Sequence, residues 1–184
     1  MAETKQPRTR REKYGSASVS GRLKFIDNMQ TDLDTVAAAG MAGVKAPLGL
    51  AMWRAKYAND RHAYRHALSL LIAKAANTAR RRHWKEPPKV VKLLTVKVFT
   101  WSVFGVCPVC QGRGHLPLDM LPNVLDDDPC PACHGDGVTP IEKAVPVHHI
   151  GRAKDILQLI ADADGHIDAR MWARLSGRVA DIKG

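Results

Sequence analysis

No apolar run in this chain of 184 residues approaches the length of a membrane span, so no transmembrane helix is expected. A signal peptide and a secreted composition are both lacking, which points to a cytoplasmic setting and away from disulfides. There is no P-loop, no Ser/His/Asp set, no paired-carboxylate pattern and no open metal site, so an enzyme with a small-molecule substrate is not expected. No lipidation motif or long basic amphipathic anchor is present to hold the chain on a membrane. The triplet Asp126-Asp127-Asp128 lacks the spacing and the following Glu of an EF-hand, which argues against calcium. Acid is the scarcer sign of charge: 18 Asp and Glu stand against 28 Lys and Arg, giving a formal charge of +10 and a pI near 9.7. A chain this basic favours nucleic acid as its partner. The length suffices for one domain with a core, tails and a metal module.

The chain has four cysteines, and all of them fall in two matching segments. These are Cys107-Pro-Val-Cys110-Gln-Gly-Arg-Gly114 and Cys130-Pro-Ala-Cys133-His-Gly-Asp-Gly137, separated by the nineteen residues between Cys110 and Cys130. Each C-x-x-C turns the backbone so that two sulfurs can share one ion, and two such turns build a closed tetrahedral site. The glycines after each pair can take positive φ and direct N–H groups at the sulfurs. Pro108 and Pro131 fix φ within each loop. One structural Zn2+ held by Cys107, Cys110, Cys130 and Cys133 is the expectation. Ligand type alone does not exclude iron on four thiolates. A redox pair would need only one C-x-x-C and a βαβ context, and catalytic zinc would need an open position that four cysteines close. His115 and His134 lie near the ligands and could compete for the metal, but read rather as loop-surface residues or as extra donors towards a partner.

The expected architecture is mainly α: a helical DNA-binding domain with an inserted four-cysteine zinc-binding module of two zinc-knuckle hairpins and a disordered basic N-terminal arm. Residues 1–30 form the arm, 31–104 the helical domain, 105–140 the zinc module, and 141–184 terminal helices packing on the helical domain. Thr31 or Asp32 caps a short helix that Gly40 stops. An Ala- and Gly-rich stretch from Met41 to Gly49 allows close backbone packing. A helix over 48–58 follows. Asn59 or Asp60 caps another over about 60–80, whose Tyr64, Ala67, Leu68, Leu71, Ile72 and Ala75 keep helical spacing. It ends in Arg80-Arg81-Arg82-His83-Trp84-Lys85, where cations suit a helix C-terminus. Val91, Leu94, Val98 and Trp101 repeat at helical spacing over 89–104, with Pro88 in the first turn. Between the cysteine pairs, 116–129 reads as an irregular loop with a short helical turn at 118–121. Two helices close the chain, one over 150–163 broken by Asp164-Gly165 and one over 168–182 that buries Met171, Trp172, Leu175 and Val179.

This order of elements resembles the late-gene antitermination protein Q family of lambda-type bacteriophages. The likeness rests on Thr31-Asp32, Ala38-Ala39-Gly40-Met41-Ala42, Gly49-Leu50-Ala51-Met52, the helix ending before Trp84, and the Val- and Leu-rich helix that leads into C-x-x-C-x-G-x-G. It covers roughly residues 29–137; the stretch after Gly137 matches poorly, and the inter-cysteine loop is richer in Pro and Asp than the family suggests. The resemblance implies a helical DNA-binding protein with an integral zinc module, acting in the cytoplasm of a bacterial host. Such a protein binds double-stranded DNA at a late promoter, engages paused host RNA polymerase holoenzyme that still holds its sigma factor, and makes it read through terminators.

For DNA contact, the sequence singles out Arg113 and His115 on the first cysteine loop and His148, Arg152 and Lys154 at the start of the following helix. The basic cluster Arg80, Arg81, Arg82, Lys85 and Lys89 is the second candidate face, with phosphates positioning the protein and a few side chains reading bases. Against each stands a plain solvated charge. The alternative function is a DnaJ-like, zinc-dependent protein-binding module, since the same half-motif occurs in that chaperone family. Only two half-motifs stand here where that family has four, and no His-Pro-Asp of a J-domain is present.

Overall fold

The structure, a computed structural model, describes Tyr14, residues 32–118 and residues 121–181. Among the described residues it is mainly helical, with five α-helices and one two-stranded sheet: α1 (Asp32–Gly43), α2 (Pro47–Tyr57), α3 (Arg61–Arg81), α4 (Pro88–Phe104), β1 (His115–Leu118), β2 (Leu121–Pro129) and α5 (Ile150–Asp181). Short 3-10 turns at Ile141–Lys143 and Val147–His149 lead into α5. No helix among the described residues is long and apolar enough to cross a membrane. The chain divides into two compact units, one of Met1–Lys74 with Leu159–Gly184 and one of Ala75–Gln158.

In the first unit small side chains set the packing. Ala39, Ala42, Ala46, Trp53, Ile167 and Met171 form a buried cluster with Tyr14, and Val36, Leu50 and Tyr57 pack on it. Tyr14 and Tyr57 meet Trp53 edge-on, with ring centroids 5.7 and 6.0 Å away. The Trp53 indole N–H, which burial would otherwise leave unsatisfied, donates to Asp164 Oδ1 at 2.5 Å. A Cβ on Gly49 would lie 2.5 Å from the Ala163 carbonyl oxygen, so only glycine permits that approach. The Ala- and Gly-rich stretch thus serves close packing, as its composition suggests. Of the basic N-terminal segment only Tyr14 lies among the described residues, and it is buried; the rest of that arm, and Thr31 as a cap, lie outside them.

Three local readings are corrected. Gly40 does not stop α1, which continues to Gly43 because Ala42 on the same helix is buried; Gly40 itself faces open space. Asp164-Gly165 does not break the last helix. Ile156, Ala163, Ile167, Met171 and Leu175 form one buried stripe spaced by sevens and fours, and its burial outweighs the cost of about 1 kcal/mol for a helical glycine. Trp172, expected in the core, is 56% exposed, because the stripe passes through its neighbour Met171. Val179 lies outside the described side chains.

The helix ends follow sequence chemistry. Asp60 caps α3, with Oδ1 accepting the N–H groups of His62 and Ala63 at 2.9 Å and Oδ2 accepting from Arg54. At the far end His83 takes φ +50, while its N–H bonds to Arg80 O and that of Trp84 to Ala79 O. This is a Schellman closure with histidine in the usual glycine position, and it turns Trp84 back into a buried site.

In the second unit α4 begins at Pro88 and buries Val91, Leu94, Thr95, Val98 and Phe99 at i, i+3, i+4, i+7 and i+8. Trp101, expected on the buried face, is half-buried, and its Nε1 donates to Thr139 O at 2.7 Å. The segment between the cysteine pairs is a β-hairpin rather than an irregular loop, with no helical turn at 118–121 among its described residues. Its register slips between His115↔Pro129, Pro117↔Leu125 and Leu118↔Leu121, because prolines cannot donate to the ladder. That proline content is what disguised two strands as a loop.

Candidate metal centre

The two cysteine segments fold alike. In each, the residue after the second cysteine and the two glycines take positive φ: Gln111, Gly112 and Gly114 in the first, His134, Gly135 and Gly137 in the second. In each, the last glycine donates its N–H to the second cysteine's sulfur at 3.3 Å, Gly114 to Cys110 and Gly137 to Cys133. The Arg113 and Asp136 N–H groups each return to the carbonyl of their own Cys110 or Cys133 at 3.1 Å.

The halves also close on each other reciprocally. Cys107 N–H donates to Gly137 O at 2.9 Å, and Cys130 N–H to Gly114 O at 2.7 Å. A Cβ on Gly114 would collide with the Gly135 carbonyl, and one on Gly137 would lie 2.5 Å from the Gly112 carbonyl oxygen. Each half-motif is therefore built against the backbone of the other. Val106 and Val138 form an antiparallel bridge, and Thr139 N–H donates to Gly105 O at 2.8 Å. The end of α4 is thereby joined to the segment after Gly137.

The result is a cluster of four buried sulfurs, those of Cys107, Cys110, Cys130 and Cys133, all within 4.8 Å of one another. An ion at the usual Zn–S distance of about 2.3 Å would hold tetrahedral sulfurs about 3.8 Å apart. Cys110 Sγ and Cys133 Sγ stand 3.6 Å apart. The donor set fits a metal ion, and four ligands leave no open position for substrate. Electrostatics favour one thiolate in advance. Burial opposes the Cys110 thiolate, but the Gly114 N–H, the Cys133 thiol, the Gly112 N–H and the Cys107 thiol outweigh it and bring its pKa down to about 7. At Cys133 burial dominates and, against the Gly137 N–H and with Cys110 adding to it, pushes the thiol up to about 11. An ion that binds thiolates must displace such protons, so its affinity rises with pH.

All ten residues expected to meet DNA fall in the second unit. Arg113 is exposed at the tip of the first cysteine loop, and His115 is half-buried with Nδ1 3.1 Å from Asp128 O. His148 is exposed, its ring 4.1 Å from that of His149. Arg81, Lys85, Lys89 and Lys154 are exposed, and Arg80 donates to Asn77 Oδ1 on its own helix. Two candidates are committed to internal pairs. Arg82 meets Asp155 at 2.6 Å, while Arg152 meets Glu86 at 3.0 Å and Asp155 at 3.6 Å and stacks 4.8 Å above the Trp84 ring. The importance of Trp84 and Glu86 was missed from sequence. Glu86 is the one acid in the run from Arg80 to Lys97, and that was the available signal. Burial opposes its charge, but its own N–H, Arg152 and His149 outweigh this and hold its pKa below the ordinary 4.5. No protein-family model matches the chain, and no curated protein matches it significantly.

Proposed function

We propose that this chain is a DNA-binding transcription antiterminator whose four cysteines hold one structural Zn2+. On this reading it binds duplex DNA at a phage late promoter and acts on paused host RNA polymerase holoenzyme, so that transcription continues through terminators. The observation that carries the reading is that the four-sulfur centre and, among the described residues, the densest run of exposed cations belong to one compact unit. Those cations are Arg80, Arg81, Lys85, Lys89, Lys92 and Lys97. Lys89 and Lys92 are neighbours three apart on α4, a spacing suited to successive phosphates. The ion is a clamp without a catalytic role, since four thiolates complete its shell. The likeness to the lambda-type Q family supplies the polymerase half of the proposal.

Binding to a promoter fragment should fall steeply with salt, at a log–log slope near −0.9 per phosphate contacted. Lys89→Gln with Lys92→Gln should flatten that slope by about 2. A slope unchanged by the pair removes α4 from the DNA face. A readthrough assay with a terminator behind the cognate promoter tests the polymerase step. Exposed Val106, Val109 and Val138 on the cysteine segments favour a second reading, a zinc-dependent protein-binding module. Binding to unfolded polypeptide, without salt-sensitive DNA binding, would decide for it.

A further inference from the structure

Helix α4 carries apolar side chains on two sides. Val91, Leu94, Thr95, Val98 and Phe99 are buried, while Leu93, Val96, Thr100 and Phe104 follow one another at spacings of three and four along a different side. Leu93 and Phe104 are 57% and 59% exposed, and Val106, 52% exposed, extends the strip beyond the helix. Single exposed apolar residues are ordinary, but a continuous strip marks a contact surface. Val96, Trp101, Phe104, Val106 and Ala144 line a groove of about 390 Å3 along it. Its walls are already stapled together: Trp101 Nε1 donates to Thr139 O at 2.7 Å, and Thr139 N–H donates to Gly105 O at 2.8 Å. A groove fixed in advance spares an occupant the cost of ordering it. Lys97 and Lys143, both exposed, also line it. Among the described residues no acid lines the groove or pairs with either lysine.

An apolar side chain with carboxylates beside it matches such a groove, and the ribbon between the cysteine segments carries that combination. Leu125, 41% exposed, precedes Asp126-Asp127-Asp128, the longest acidic run in a chain of formal charge +10. Among the described residues no Lys or Arg pairs with these three carboxylates. We propose that the groove takes the β2 ribbon of a second copy of this chain, with Leu125 against Phe104 and the aspartates meeting Lys97 and Lys143. Groove and ribbon belong to the same compact unit. Each copy offers one of each, so two copies make both contacts at once around a two-fold axis and close as a dimer. The proposal does not rest on the DNA-binding reading; of the cations assigned to DNA it uses only Lys97.

Sedimentation equilibrium of the metal-loaded full chain, free of DNA, should give twice the monomer mass of 20.2 kDa at about 100 µM, well above the micromolar Kd of a modest interface. Reversing the ribbon with Asp126→Lys, Asp127→Lys and Asp128→Lys should leave a monomer, and so should reversing the groove with Lys97→Glu and Lys143→Glu. Mixed in equal amounts, the two variants should regain the doubled mass, because each ribbon then meets a groove of opposite charge. Misfolded chains would not recover in this way. Leu125→Ser should raise the dimer Kd about tenfold through lost apolar burial. A monomeric wild type overturns the proposal, gives the groove to an acidic segment of another protein, and leaves the DNA-binding reading standing. A dimer that survives either reversal, a mixture that stays monomeric, or a Kd unmoved by Leu125→Ser overturns it as well.

Discussion

The cysteine turns and the core around Trp53 reach order by opposite routes. Around Trp53, order comes from burial: alanines, Ile167 and Met171 exclude water, and the Trp53–Asp164 bond satisfies the indole. In the cysteine segments the buried cluster is the four cysteines, with Leu116 and Ala132 packed on it, and the turns are fixed by N–H groups aimed at sulfur. The same residue type has opposite value in the two places. Gly114 and Gly137 sit at φ +80 and +70 with a carbonyl where a Cβ would go, whereas Gly40 and Gly165 are helical and face open space. A glycine is informative only once its surroundings are known.

Removing one ligand should separate the regions most sharply. Cys133→Ser should abolish stoichiometric metal by elemental analysis and release the amides of Gly114 and Gly137 to rapid hydrogen exchange. Those of Ala38 and Ala39 should be far less affected; equal loss in both places would join the regions into one cooperative block. Gly114→Ala should weaken metal binding on the order of a hundredfold in chelator competition, since it sets a Cβ against Gly135 O in a left-handed backbone. Gly112→Ala should cost less, because its Cβ would meet only the flexible Val106 side chain at 3.1 Å. In the other region, Trp53→Phe should lower unfolding stability by about 1–2 kcal/mol through loss of the Trp53–Asp164 hydrogen bond. Gly165→Ala should raise stability by about 0.5–1 kcal/mol in the same denaturant titration. A loss there would mean the helical glycine is needed after all.

The smallest effect concerns Asp60. The Ala63 N–H leads the contacts that hold its carboxyl below the ordinary 3.8. Its contribution is therefore present above pH 3.8 and fades as pH falls through the depressed folded value. Asp60→Ala should melt slightly lower than the wild type at neutral pH, and the gap should shrink in acid. A gap unchanged with pH would show that the cap is not acting as a carboxylate.

What the sequence revealed depends on how local the cause was. Helices α2, α3 and α4 were legible because burial repeats at 3.6 residues and Asp60 and Pro88 mark the starts of α3 and α4. The sulfur cluster was legible because C-x-x-C spacing is itself the geometry of ligation. The hairpin was not, since Pro117, Pro122 and Pro129 erase strand periodicity and its pairing is fixed at the base by contacts between the cysteine segments. The continuity of α5 was hidden by Asp164-Gly165, whose breaking tendency loses to the buried stripe and to the Trp53 bond. Arg82 and Arg152 looked like free phosphate ligands because their acidic partners Asp155 and Glu86 lie 73 and 66 residues away.

The 2.7 Å bond from Cys130 N–H to Gly114 O brings the two roots of the intervening ribbon side by side. Everything from His115 to Pro129 therefore departs from and returns to one spot, and the sulfur cage takes no ligand from it. Apart from Leu116, which packs on the cysteines, the ribbon is therefore a natural graft point, where length and sequence can be exchanged while the cage keeps its shape.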